Sequence, residues 1–131
     1  MEKKVVLTKE ELPIAEVLCS SPSHAVGAVV SFVGRVREVA DGLSVKWVEI
    51  EVDDEATLAT LEELRKEAIE RYSLRDVVIV HRFGRLEVGE GIVLIAAFAE
   101  HRGAAFEGCS YLIDEIKQAV PIRKTGQRLE G

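Results

Sequence analysis

Several things are scarce in this chain, and each scarcity removes a class of function. Its two cysteines, Cys19 and Cys109, stand far apart and fit no metal-ligand spacing. Both are expected to act as small buried hydrophobes, and nothing near Cys109 supports a nucleophilic role. There is no H-x-x-x-H pair and no Cys/His cluster, so no metal site is expected. No P-loop and no G-x-G-x-x-G appears, and no bound cofactor is expected. The longest strongly apolar run, Ile92 to Ala99, is too short to span a bilayer. The basic N-terminal residues are followed by no signal-type apolar region. These readings exclude a membrane role and make the cytoplasm the expected location. A surplus of base is missing too: net charge is −6, which argues against a nucleic-acid partner.

What remains is a balanced globular composition, 47% hydrophobic and 31% charged over 131 residues. That length predicts one domain, residues 1–131, with no repeat or linker. Lys4–Thr8 reads as a strand, and Thr8 with Glu11 has the spacing of a capping box for a short helix reaching Cys19. Gly27–Arg37 is rich in β-branched residues and reads as a strand, with Gly34 marking a bulge or a close backbone approach. A strand over Ser44–Val52 follows the Ala40-Asp41-Gly42 turn signal. Asp53 or Asp54 opens a helix to about Tyr72, its Leu58, Leu61, Leu64 and Ala68 recurring at helical spacing. Val77–Phe83 and Ile92–Glu100 are strands, the second apolar enough to be central, with Gly84–Gly91 as a connection. A helix from about Ala104 to Gln118 closes the series. The order predicts an α+β fold, a mainly antiparallel sheet with helices on one face.

Charge is distributed unevenly. Residues 53–71 are dominated by acids, whereas Lys117, Arg123, Lys124 and Arg128 crowd the C-terminal stretch. Local basicity on an acidic chain fits a small anion site better than a polyanion surface. Residues eleven apart on a helix differ by about 20° in direction, so Phe106, Ser110, Ile113 and Lys117 share a stripe. With Phe106 and Ile113 expected to face the core, Lys117 has two readings. Its stem can lie along apolar surface with the ammonium in water, favoured at a helix C-terminus. Alternatively its amine is partly desolvated and can act as acid, base or nucleophile. Pro121 ends the helix and lets the chain turn Lys124 back toward Lys117. His101 and Arg102 lie at the other end, where helix N–H groups attract anions. Arg35 and Arg37 end a strand that, beside Ile92–Glu100, would bring them to the same bowl. Any single arginine here reads more readily as a solvated surface charge; only the set together points to an anion pocket. A second pair, His81-Arg82, reads as a structural histidine beside an arginine.

Four stretches in order, GAVVSFVGRVRE, EELRKEAIERY, VVIVHRFGRLEVGE and HRGAAFEGCSYLIDEIKQAVPIRK, resemble the MoaE family, the large subunits of molybdopterin synthase. The resemblance covers nearly the whole chain. It implies an α/β hammerhead-type fold, a homodimer, and a heterotetramer with two copies of a ubiquitin-like small subunit (MoaD-like) whose C-terminal glycine carries a thiocarboxylate. It implies sulfur transfer to cyclic pyranopterin monophosphate, giving molybdopterin in molybdenum cofactor biosynthesis. Carried over by position, the catalytic lysines fall on Lys117 and Lys124. Substrate-binding cations fall on Arg35, Arg37, His101 and Arg102 together with both lysines. Arg123 stands where the family usually has an aromatic residue, and Gly126 where an acid is common. The alternative is a non-catalytic α+β module that binds a small phosphorylated metabolite; a scaffold that only docks the small partner is a weaker third.

Overall fold

The computed structural model describes residues 3–21, 23–40, 43–120 and 122–129, with backbone alone for 39–40, 43–45 and 122–129. Its elements are β1 (Val5–Thr8), α1 (Ile14–Leu18), β2 (Ala28–Arg35), β3 (Val39–Ala40), β4 (Leu43–Val52), α2 (Asp54–Tyr72), β5 (Asp76–Arg82), β6 (Gly84–Glu87), β7 (Gly91–Ala99), α3 (Arg102–Ala119) and β8 (Ile122–Leu129). The expected α+β class and mainly antiparallel pairing hold. The strands divide, however, into two sheets. One runs β1-β5-β7-β2, with β1 parallel to β5 and the rest antiparallel. The other is built on β4, which pairs with β3, β6 and β8.

The first sheet holds the main core because β5 and β7 are apolar at consecutive positions and so bury both faces. Val77, Ile79, Ile95, Ala97 and Ala99 meet α2 and α3 on one face. Val78, Val80, Leu94, Ala96 and Phe98 meet Val17 of α1 on the other. Thus the two long helices share a face as expected, while short α1 covers the opposite one. A smaller core of Val36, Val48, Ile50 and Leu86 joins the sheets.

Helix α2 starts where Asp53 accepts a hydrogen bond from the Ala56 amide at 3.0 Å, a cap that contributes about 1 kcal/mol. Thr8 caps no helix. Its hydroxyl accepts from the Glu10 amide two residues on, and α1 begins later, at Ile14, without a side-chain cap.

On α3 the buried stripe is Ala105, Cys109, Leu112 and Ile116, not the neighbouring stripe through Phe106, which is 61% exposed. Close approach decides this. Gly108 fits so tightly that a Cβ would stand 2.7 Å from a Leu74 methyl. The small residues therefore face inward and Phe106 stays outside.

Candidate active site

Topology brings three polar side chains to one end of the main sheet. Helix α3 leaves the finish of β7 and runs back across the sheet, so its last turn returns to where β7 begins. β2 and β5 are both antiparallel to β7, which sets Arg35 opposite Gly91 and His81 opposite Val93. Between them lies a cavity of about 520 Å³. Its walls are mostly apolar, from Phe32, Ile92, Val93, Ile95, Ile113, Ile116 and Val120, and its charged or titratable lining groups are Arg35, His81 and Lys117.

The strand register slips between Gly34 and Arg35, the irregularity that a glycine inside this strand foretold. A Cβ on Gly34 would sit 3.0 Å from a Val93 methyl, so the two backbones approach as only glycine allows. Such a slip re-aims the next side chain, here Arg35. Its Nε donates to the Gly89 carbonyl at 2.9 Å. Arg37 is exposed, two residues on, beyond the buried Val36.

Lys117 is exposed at the last turn of α3. Among the described residues no carboxylate lies within ion-pairing distance of it or of Arg35. Val120 is extended at ψ 123°, as expected before a proline. Lys124 lies in β8, its backbone opposite Ile50 of β4; its side chain is outside the described residues.

His81 is buried at 3% exposure, and its Nδ1 stands 2.9 Å from the Arg82 carbonyl. A carbonyl only accepts, so Nδ1 carries the proton in that bond. The structural histidine read from sequence is therefore also a wall of the cavity. Its one sequence signal was a titratable residue directly after the apolar run Val77–Val80.

His101 and Arg102 are not brought to this cavity within one chain. Both are exposed at the first turn of α3, and about 22 Å of helix rise separates Arg102 from Lys117. His101 is the N-cap residue but makes no side-chain cap, and the first turn carries no acid. Glu100 lies 3.5 Å from the His101 ring and 3.2 Å from Arg75. The bowl expected to gather all the cations is thus two places, one at each end of α3.

The thiols differ as well. Cys109 is buried and its pKa is pushed up to about 11 by desolvation, which removes it as a nucleophile. Cys19 is exposed at the end of α1, contrary to the expectation of burial for both, because that helix stops one residue earlier.

Two sheets joined by a small shared core, with a cation-edged apolar cavity beside the last turn of a helix, define the class: an α+β fold with a built pocket at one end of its main sheet. The family model of the MoaE protein matches residues 7–119, and the chain belongs to the MoaE family. A molybdopterin synthase catalytic subunit from Pyrococcus abyssi is 38% identical over 132 residues, spanning 99% of this chain and 89% of that protein. The crystal structure of molybdopterin synthase from Staphylococcus aureus superposes with a TM-score of 0.90 at 30% identity, covering 98% of this chain and 94% of that one. A complex of subunits 1 and 2 of molybdopterin-converting factor from Helicobacter pylori has a TM-score of 0.78 at 20% identity over 97% and 89% of the two chains, a likeness of fold. Among the described residues no helix is long and apolar enough to cross a membrane.

Proposed function

We propose that this chain is the catalytic subunit of a molybdopterin synthase. The single observation that carries the reading is Lys117, without an acidic partner among the described residues, on the wall of a largely apolar cavity that also holds Arg35 and His81. In this reading the thiocarboxylated C-terminal tail of a ubiquitin-like subunit enters the cavity. An apolar lining excludes water around the thiocarboxylate and strengthens each charge interaction there. Cyclic pyranopterin monophosphate lies against the exposed cations, which bind its phosphate through charge-assisted hydrogen bonds. The thiocarboxylate sulfur forms a bond to a substrate carbon as that carbon's bond to a phosphate oxygen breaks, which opens the cyclic phosphate. Water then cleaves the acyl–sulfur bond, leaving sulfur on the substrate and a carboxylate on the tail. The negative charge that develops is stabilised by Arg37 and the lysines. Lys117 moves the proton or handles the acyl group, and Lys124 is its partner.

The placement of His101 and Arg102 supports the homodimer. Exposed at the far end of α3, they reach a cavity only if it belongs to a second copy. The apolar run of β7 gives no such support, since both its faces are covered within the chain. The exposed Phe106 on the same helix does.

The test is reconstitution. Purified protein, thiocarboxylated partner and cyclic pyranopterin monophosphate should yield molybdopterin. Lys117→Ala, correctly folded, should lose about 10²–10⁴ in rate, the range for a lost acid–base group. Full turnover by that variant would overturn the assignment of Lys117. Phosphate-ligand binding without product in the wild type would favour the non-catalytic binding module.

A further inference from the structure

Arg82 and the glycine turn after β6 have no part in the reading above, yet they form a connected device. Arg82 is 7% exposed. Its Nη2 donates to the Lys9 carbonyl at 2.9 Å, and its Nη1 lies 3.5 Å from Glu90 Oε1. The other carboxylate oxygen of Glu90 accepts from the Glu87 amide at 2.6 Å, and the Glu90 amide donates to the Glu87 carbonyl at 3.0 Å. A buried cation thus holds the residue that closes the 87–90 turn.

That turn grips the residue between the two strand-end arginines. Val36 donates its amide to the Glu90 carbonyl at 2.9 Å and accepts from the Gly89 amide at 2.9 Å. Beside it, Arg35 Nε donates to the Gly89 carbonyl. Gly89 has φ +93°, a conformation that a side chain strains. A Cβ there would also stand 3.3 Å from Arg35 Nη2.

We propose that the 87–90 turn positions Arg35 at the cavity, with Gly89 as the positioning residue and the Arg82–Glu90 pair as its anchor. The proposal rests on the functional reading above in assigning the anion that Arg35 meets: the phosphate of the pyranopterin substrate. Gly89 touches no substrate. It acts by taking the Nε donor, which fixes the plane of the guanidinium and so the direction of its remaining N–H groups.

A double-mutant cycle in the reconstituted complex tests it. Arg35→Ala should raise KM for cyclic pyranopterin monophosphate about ten-fold, the worth of one charge-assisted hydrogen bond. Gly89→Ala should raise it by a similar factor with kcat within about two-fold, and adding Gly89→Ala to Arg35→Ala should change KM little. Arg35→Lys keeps the charge but cannot reproduce the fork, and should match Gly89→Ala rather than wild type. It carries the test should Gly89→Ala lose its cooperative melting transition. Inorganic phosphate binding by the same proteins gives a second readout. Wild type that makes no molybdopterin but shows the non-additive phosphate cycle would overturn the functional reading and keep the positioning role. Additive effects in both readouts, or wild-type behaviour of Arg35→Lys, would overturn the positioning role itself.

Discussion

The two ends of α3 are built on opposite principles. At its start, charge is neutralised by charge: Asp76 is 2.8 Å from Lys4 and 2.7 Å from Arg65, and Arg75 meets Glu100. At its finish, Lys117 and Arg35 border an apolar cavity and have no such acid among the described residues. The first arrangement stabilises the end of a sheet. Under the proposed function, the second keeps cations available to an anion that the substrate supplies. The Lys117 and Arg35 side chains are both exposed, so water solvates them and leaving them without an acid costs little. His101 and Arg102 complicate the contrast, since they are exposed cations beside the ion-paired end.

Complementation breaks the comparison most directly. Lys117→Ala and Arg102→Ala homodimers should each be nearly inactive if a site takes Lys117 from one copy and Arg102 from the other. Mixed in equal amounts and allowed to exchange, half the dimers are mixed and each mixed dimer has one intact site, so activity should recover to about a quarter of wild type. No recovery, with exchange shown by mass, would place both residues in one protomer's site or remove Arg102 from it.

The ion-paired end yields a smaller effect, on stability. Burial alone would raise the Asp76 pKa; hydrogen bonds from Lys4, Arg65 and the Val77 amide outweigh it and hold it below the usual 3.8. A depressed carboxylate stabilises the fold above its ordinary pKa, and that contribution is lost as pH falls through the lower folded value. Asp76→Asn should therefore cost about 2 kcal/mol near neutral pH. Denaturant melts should show this gap closing below about pH 3.8. A gap that stays constant into acid would mean that the charge of Asp76 contributes nothing. Turnover per folded molecule should be unchanged.

Much of this contrast was legible in the residues. Strong periodicity gave α2 and α3, and the continuous apolar run of β7 gave its central place. The antiparallel neighbours of β7 then fix which cations meet. β6 was hidden because Leu86 is the only apolar residue in its four, too short a stretch for alternation to show. β8 is polar and contains Gly126, so nothing in IRKTGQRL signals a strand until β4 supplies a partner. The Phe106 stripe misled because hydrophobicity identified the face, whereas the size of Ala105, Gly108 and Cys109 decided which residues approach the sheet. The separation of His101 from Lys117 was available from helix length alone, at about 1.5 Å per residue. The role of His81 was not, since burial and direction come from the assembled sheet.

The middle of α3 belongs to neither end, and it gives the mildest test. Cys109 sits there at 2% exposure with its pKa near 11, whereas Cys19 is exposed on the opposite face of the sheet. At neutral pH only about one Cys109 thiol in ten thousand is ionised, and the folded chain shields that one from reagent. Iodoacetamide followed by mass spectrometry should therefore add one label to the native protein, at Cys19, and a second only in denaturant. Alkylation at Cys19 should leave molybdopterin formation intact. Rapid native labelling of Cys109 would mean that α3 lifts from the sheet on the timescale of the reaction. The two ends would then be joined by a moving element, and Lys117 would no longer be held at the wall of the cavity.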